Sequence, residues 1–431
     1  MKTNGWTSSV YCNKATFKAL TQAVALLNLA LQAGASAYQG AAYDMAMAHD
    51  AFGDVLSRGG NTEAALKPLQ QAQLGFQALA DDGNQSAARM VSLTLTELGD
   101  CLTDLGRLDA AVALYQQAIE LSEKLDYKRQ VAVGKGQLAT VRIYQKDYKA
   151  ALVGHTEARE LFQQLGEPQG VATAWHQTGM VYSAMQDYEQ AEQAYRKSLA
   201  IKSKLGNKAD VASSLNELGT LYNVWGKLEQ AVVFYRQAAD SYIQLGDQRY
   251  EGVTRSNLAN TLIKLQRYDE ARSELERAIE CNKAYGHSAE PWKTWGILCD
   301  LELACNHPAA AHAAKQQAIQ SYWAYRRDGG ENMDRHELPQ LCQTVLQAIR
   351  EQPHNKAGFF KWFKRSQPSL QYVQELSALQ SDPDLADYLK PVIPKLIAIC
   401  LGDRNPALAD DPELDYNCAA ELLLLLEALS A

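Results

Sequence analysis

Helix breakers are scarce in this chain, with 27 glycines and 12 prolines among 431 residues. Most of them sit between periodic segments, which argues against a turn-rich β-protein and for helices. Cationic excess is missing as well. Fifty acidic side chains outnumber 42 Lys and Arg, for a net charge of -8. Nucleic acid is thereby excluded as the main partner, because phosphate binding needs clustered Lys and Arg. No apolar run is long enough for stable membrane insertion. The stretch from Leu20 to Ala37 ends in Ala35-Ser36-Ala37, as a signal peptide would. However, Leu20, Val24, Leu27 and Leu31 share one helical face and Thr21, Asn28 and Gln32 another, so it reads as an amphipathic capping helix.

The eight cysteines form no CxxC pair and no dense framework. They read as buried thiols of a reducing compartment, which places the protein in the cytoplasm. Cys299, Cys305, His307 and His312 cluster, but at spacings that match no common zinc pattern, so no metal and no cofactor is expected. What is abundant is apolar residues, 47% of the chain, enough for a large core.

Those residues are periodic. Alanine recurs every forty positions at 111, 151, 191, 231, 271 and 311. A second register holds Ala118, Ala158, Ser198, Ala238, Ala278 and Ala318. A period of forty means stacked helical hairpins, each burying its apolar face on the next. In the unit from Val171 to Asp210, the first helix carries Trp175, Gly179 and Tyr182, and the second Tyr188, Ala191, Tyr195 and Leu199. Pro168 suits a first helical turn. The hairpin turn recurs at Gly106, Lys146, Gln186, Gly226, Gln266 and Asn306. The second helix ends at Gly166, Gly206, Gly246 or Gly286, with Asp126 as a variant; glycine there suits a left-handed cap. Helices of about 17 residues, about 25 Å long, follow.

The pattern resembles the tetratricopeptide repeat. Its best copies are Leu95, Leu98-Gly99, Leu102, Ala111, Tyr115, Ala118, and Leu215, Leu218-Gly219, Tyr222, Ala231, Tyr235, Ala238. The family's common unit has 34 residues, whereas this one has forty. The longer form resembles kinesin light chains, the G-protein signalling modulators and bacterial signalling proteins with such arrays. Ser256-Asn257-Leu258-Ala259-Asn260 is similar to the modulator type. Strong units cover 91–290, with weaker copies on either side. The resemblance implies an all-α fold, a right-handed α-α superhelix (a solenoid). Its expected divisions are a capping helix in 1–40, seven hairpins in 41–330, and a small helical C-terminal cap in 331–431.

The resemblance also implies a site. In the family the concave groove is lined by first-helix residues, which here are Thr96, Gly136, His176, Asn216, Ser256 and Gly296; Asp100, Thr140, Met180, Thr220, Asn260 and Asp300; and Thr103, Ile143, Ser183, Asn223 and Ile263. Small polar side chains of this kind suit a protein or extended peptide, whose main chain needs partners when docked. The Lys and Asn pairs of a carboxylate clamp are missing. His176 reads either as a pH-sensitive contact or as an ordinary polar one.

Beyond Arg326-Arg327-Asp328-Gly329-Gly330 the register is lost. Phe359-Phe360-Lys361-Trp362-Phe363-Lys364-Arg365 is short, basic and aromatic, suited either to packing on the last repeat or to touching a membrane or partner. The five leucines 422–426 cover every side of a helix, which must therefore be buried, with the apolar 392–401 segment as its mate. This region either caps the solenoid or folds into its groove. Gly134-Lys135-Gly136 lacks the upstream glycine of a phosphate loop, and no hydrolase, metalloprotease or dinucleotide pattern is present. The expected function is a non-catalytic scaffold or adaptor that binds protein or peptide on the concave face. The alternative is a bacterial peptide-responsive sensor whose superhelix changes shape on binding.

Overall fold

The computed structural model describes residue 25 and residues 40–59, 61–327, 337–350, 368–380 and 385–430. Apart from residues 25 and 40, the expected capping helix of 1–40 lies outside the described residues, as does the 359–365 stretch. All regular structure among the described residues is helical. Contacts divide the chain into two compact units, one ending at Ser241 and one beginning at Tyr242.

In the first unit, helices pair in chain order: α1 (Ala41–Arg58) with α2 (Thr62–Asp81), α3 (Gln85–Asp104) with α4 (Leu108–Lys124), and α5 (Lys128–Tyr144) with α6 (Tyr148–Gln164). Next come α7 (Pro168–Ala184) with α8 (Tyr188–Lys204), and α9 (Lys208–Val224) with α10 (Leu228–Leu245). Each of α1 to α8 packs against the helix that follows it, and the first helices α1, α3, α5 and α7 also touch in sequence.

The alanine registers explain this packing. Ala111, Ala151, Ala191 and Ala231 are buried, as are Ala118, Ala158 and Ala238. A methyl group at a helix crossing lets two backbones approach to about 8–10 Å. Ser198 takes the alanine place in α8, and its hydroxyl donates to the Ala172 carbonyl at 2.7 Å. A second joint sits one turn away. A Cβ added to Gly99, Gly179 or Gly219 would lie 2.8, 2.7 or 2.6 Å from the ring of Tyr115, Tyr195 or Tyr235. In α5 and α6 the pair is instead Ala139 with His155, both buried, the smaller ring leaving room for the methyl.

Both turn series are left-handed, as their sequence implies. Gly106, Gly166, Gly206, Gly226 and Gly246 have φ between 66° and 78°. Lys146, Gln186, Gln266 and Asn306 hold φ of 58–61° without being glycine, and Asp126 holds 51°. Asp147 and Asp187 then cap the next helix, accepting from the backbone N–H of Ala150 and Gln190.

The second unit contains two further hairpins, α11 (Gln248–Lys264) with α12 (Tyr268–Asn282) and α13 (Pro291–Ala304) with α14 (Pro308–Arg327). After them come α15 (Glu337–Arg350), α16 (Pro368–Gln380), α17 (Val392–Cys400) and α18 (Tyr416–Ser430). One core joins Trp292, Ile319 and Tyr322 of the last hairpin to Val392, Ile393 and Leu396 of α17 and to Leu422, Leu425 and Leu426 of α18. The expected mates do meet. Leu423 and Leu424 are only half-buried, so the leucine run is covered on most of its circumference. Arg326 and Glu421, both largely buried, pair across α14 and α18.

Candidate functional site

First helices carry the expected binding face. In the first unit its members come from α3, α5, α7 and α9, and they divide into three groups.

Some are committed to helix joints. Thr96 is buried, accepts a hydrogen bond from Gln130 at 3.0 Å and donates to the Ser92 carbonyl. In the second unit Ser256 is buried and bonded to Thr294 at 2.9 Å. The hydroxyls of these two expected groove residues are close enough to the neighbouring helix to serve as joints. Thr140 and Thr220 turn their hydroxyls to carbonyls of their own helices, Gly136 and Asn216, and Thr220 also accepts from Tyr235 at 3.1 Å.

A second group is acidic. Asp100 accepts from the Tyr115 hydroxyl at 2.6 Å and from Gln137 at 2.7 Å. Burial lifts its carboxyl to about 7, against the pull of those two bonds. Burial also pushes neighbouring Glu97 up to about 9, helped by the carboxylates Asp50, Asp54 and Asp100. Glu97 therefore holds its proton at neutral pH.

The third group holds polar atoms without partners. His176 Nδ1, Gln177 Oε1 and Asn216 Oδ1 are buried and make no hydrogen bond. His176 packs on Tyr195 with ring centroids 5.3 Å apart. Burial, and then the Lys202 charge, hold its pKa down to about 4, so the ring is neutral at pH 7 and does not switch there. Lys202 is itself buried and donates to Ser214 at 3.0 Å. Glu217 faces it across α8 and α9, its carboxyl raised by burial and lowered by Lys202. Met180 is 36% exposed and supplies the apolar contact of this region, while Ser183 and Asn223 are half-buried.

Glu97, Gln137, Gln177 and Glu217 were not among the expected residues. They follow the first set by one position, at the same forty-residue spacing, and the position stays polar at Asn257 before it becomes Ile297 in the last copy. That regularity was available in the sequence.

In the second unit Asn260 is half-buried. On the last hairpin Gly296 is half-buried and Asp300 exposed. Tyr416 lies 3.2 Å from where a Cβ on Gly296 would be, and Lys315 donates to the carbonyls of Asp411 and Pro412. The first residue of α18 thus rests on an expected groove position, and the acidic turn before it on the second helix of the hairpin. The cysteine–histidine cluster does not converge. His307 bonds Glu302 at 2.9 Å, and among the described residues no group of three or more His, Cys, Asp or Glu could hold a metal ion. No helix among the described residues is long and apolar enough to cross a membrane.

Comparison with known proteins bears on the repeat region first. A family model described as tetratricopeptide repeat matches residues 90–164, 130–204, 170–244 and 210–284, each match forty residues after the last. Among curated proteins, no sequence matches the chain. Similar solved structures include a signal transduction ATPase with numerous domains, carrying a tetratricopeptide repeat sensor, from Pyrococcus horikoshii. It is 16% identical with a TM-score of 0.52, over 75% of this chain and 49% of that one. The chain thus spans about half the length of that relative. BtubC from P. vanneervenii is 19% identical with a TM-score of 0.45, over 54% of this chain and 92% of its own. A Rap protein complexed with competence and sporulation factor is 16% identical with a TM-score of 0.48, over 73% and 88%. Four tandem matches in the register of the buried alanines, on helices paired as the family pairs them, mean that residues 90–284 are tetratricopeptide repeats.

Proposed function

We propose that the first-helix face of α7 and α9 binds an extended segment of another protein, and that the chain acts as a non-catalytic scaffold. The carrying observation is the set of unpartnered atoms His176 Nδ1, Gln177 Oε1 and Asn216 Oδ1, of which His176 and Asn216 hold matching positions of successive hairpins and Gln177 is next to His176. A buried acceptor without a partner costs about 1–3 kcal/mol. An extended main chain that draws these side chains outward gives each one a partner. Met180 beside them offers an apolar contact. The neutral imidazole of His176 can accept or donate, according to its tautomer.

The acidic residues at 97 and 100 are protonated or hydrogen-bonded rather than poised around a reacting atom, which suits binding more than chemistry. Among the described residues all seven cysteines are free, which suits a reducing compartment such as the cytoplasm. The seven hairpins from 41 to 330, with the helices after them as a cap, form the scaffold in this reading.

Affinity capture from the native host tests the proposal, comparing the native chain with one carrying His176→Ala, Gln177→Ala, Asn216→Ala and Thr220→Ala. The bound protein should be lost while the melting temperature stays within about 4 °C. Retention of the same partner by that variant overturns the assignment to this face.

A further inference from the structure

A cleft of about 770 Å³ opens between the second helices α4 and α6, with α5 as its floor. It continues into a second hollow of about 280 Å³, the two sharing Glu123 and Lys135. The cleft lies away from the face discussed above. Its floor residues Lys135, Leu138, Ala139 and Arg142 are turned roughly a third of a turn around α5 from Gly136, Thr140 and Ile143.

The corresponding clefts of the next two hairpins are filled by the chain itself. Between α6 and α8, Arg159 and Lys197 each lie 4.1 Å from the Trp175 ring centroid, one cation from each wall over the floor. Between α8 and α10, Phe234 stacks on Tyr222 with centroids 5.2 Å apart, and Arg196 reaches across to both. Eighty residues earlier, Phe234 corresponds to Gly154 and Tyr222 to Arg142; forty residues earlier, Trp175 corresponds to Lys135.

The vacancy is built in. A Cβ at Gly154 would fall 2.8 Å from that of Ala139, so position 154 cannot carry a filling side chain. Ala139 is present because its partner is His155 rather than tyrosine. Val153, 52% exposed, stands at the mouth. Glu120 and Glu123 line one end and make no ion pair among the described residues, whereas Glu157 is taken by Lys135 at 2.7 Å.

We propose that this cleft is a second docking surface, for a helical segment of another protein carrying an aromatic side chain and, three or four residues away, a Lys or Arg. The aromatic ring takes the place over Gly154 that Phe234 occupies two hairpins on. There it meets the Arg142 guanidinium and the apolar Leu138 and Val153. The basic residue meets Glu120 and Glu123. A spacing of three or four keeps the two on one helical face.

The test is selection of a phage-displayed peptide library on the full chain carrying His176→Ala and Asn216→Ala, so that failure of the first-helix site and failure of this one are read separately. Recovered peptides should share the aromatic-plus-basic pattern. Their affinity should fall by about tenfold or more in Val153→Arg and in Glu120→Lys/Glu123→Lys, with unchanged thermal melts. All three replaced side chains are exposed. The charge-reversed variant should instead favour Asp or Glu at the basic position. The proposal is overturned if no such peptide emerges, if the consensus is acidic, or if peptides bind both variants as well as the parent.

Discussion

Replacing Gly219 by alanine should destabilise the α9–α10 hairpin, although alanine is the better helix former. The added methyl would lie 2.6, 2.7 and 2.9 Å from three atoms of the Tyr235 ring. Ordinary contact needs 3.4–4 Å, so the ring must retreat by nearly 1 Å. Tyr235 is only 1% exposed and its hydroxyl donates to Thr220 at 3.1 Å. Its retreat therefore compresses a packed core, at about 1–3 kcal/mol, and strains a hydrogen bond of about 1 kcal/mol. Helix propensity returns about 1 kcal/mol. The net loss is about 1–3 kcal/mol. Tandem arrays do not unfold in two states, so the assay is native-state hydrogen exchange of α9 and α10 amides rather than a single melt. The chain contains its own control. At the same register Ala259 stands with Leu275, both fully buried. Tyr235→Leu added to Gly219→Ala should restore much of the lost protection. The packing argument is refuted if Gly219→Ala raises protection, or if the leucine deepens the loss.

Other predictions concern turns, charges and pH. Lys146→Gly should raise stability by about 0.5–1 kcal/mol, because lysine holds φ of 61° there; a fall on urea titration would contradict the strain. Asp187→Ala should cost about 1 kcal/mol, by the same titration, through loss of the cap on Gln190 N–H. Glu421→Ala should cost about 3 kcal/mol and expose α18 amides to exchange, since it removes the carboxylate paired with the largely buried Arg326 across α14 and α18. Glu97 binds a proton in the folded state that an unfolded carboxyl gives up above its usual value near 4.5. Stability from this group therefore falls as pH rises toward 9, by about 2 kcal/mol between pH 7 and 9. Glu97→Gln should flatten that slope, and an unchanged slope would assign it elsewhere. His155, held down to about 4 by burial, acts oppositely: its contribution is lost as pH falls through 6.5 toward 4.

The hairpins were legible because their causes are local. Alanine at fixed spacing, a left-handed turn residue and an aspartate cap each act within a few residues of their own helix, so a forty-residue period exposes them. Even Glu97, Gln137, Gln177 and Glu217, which were missed, stood in plain register. Thr96 was harder to judge, because its hydroxyl is bound to Gln130, 34 positions on. The cover on Gly296 is more remote, Tyr416 arriving from 120 positions on.

The family, the helix pairing and the candidate face thus follow from periodic, short-range chemistry in the chain. Which polar atoms lack partners, and which cleft is vacant, depend on side chains meeting from successive hairpins. Arg159 and Lys197 close one cleft over Trp175, and Gly154 with Ala139 leaves another open. Such outcomes turn on distances of about 1 Å between residues tens of positions apart, because packed interiors tolerate no looser fit.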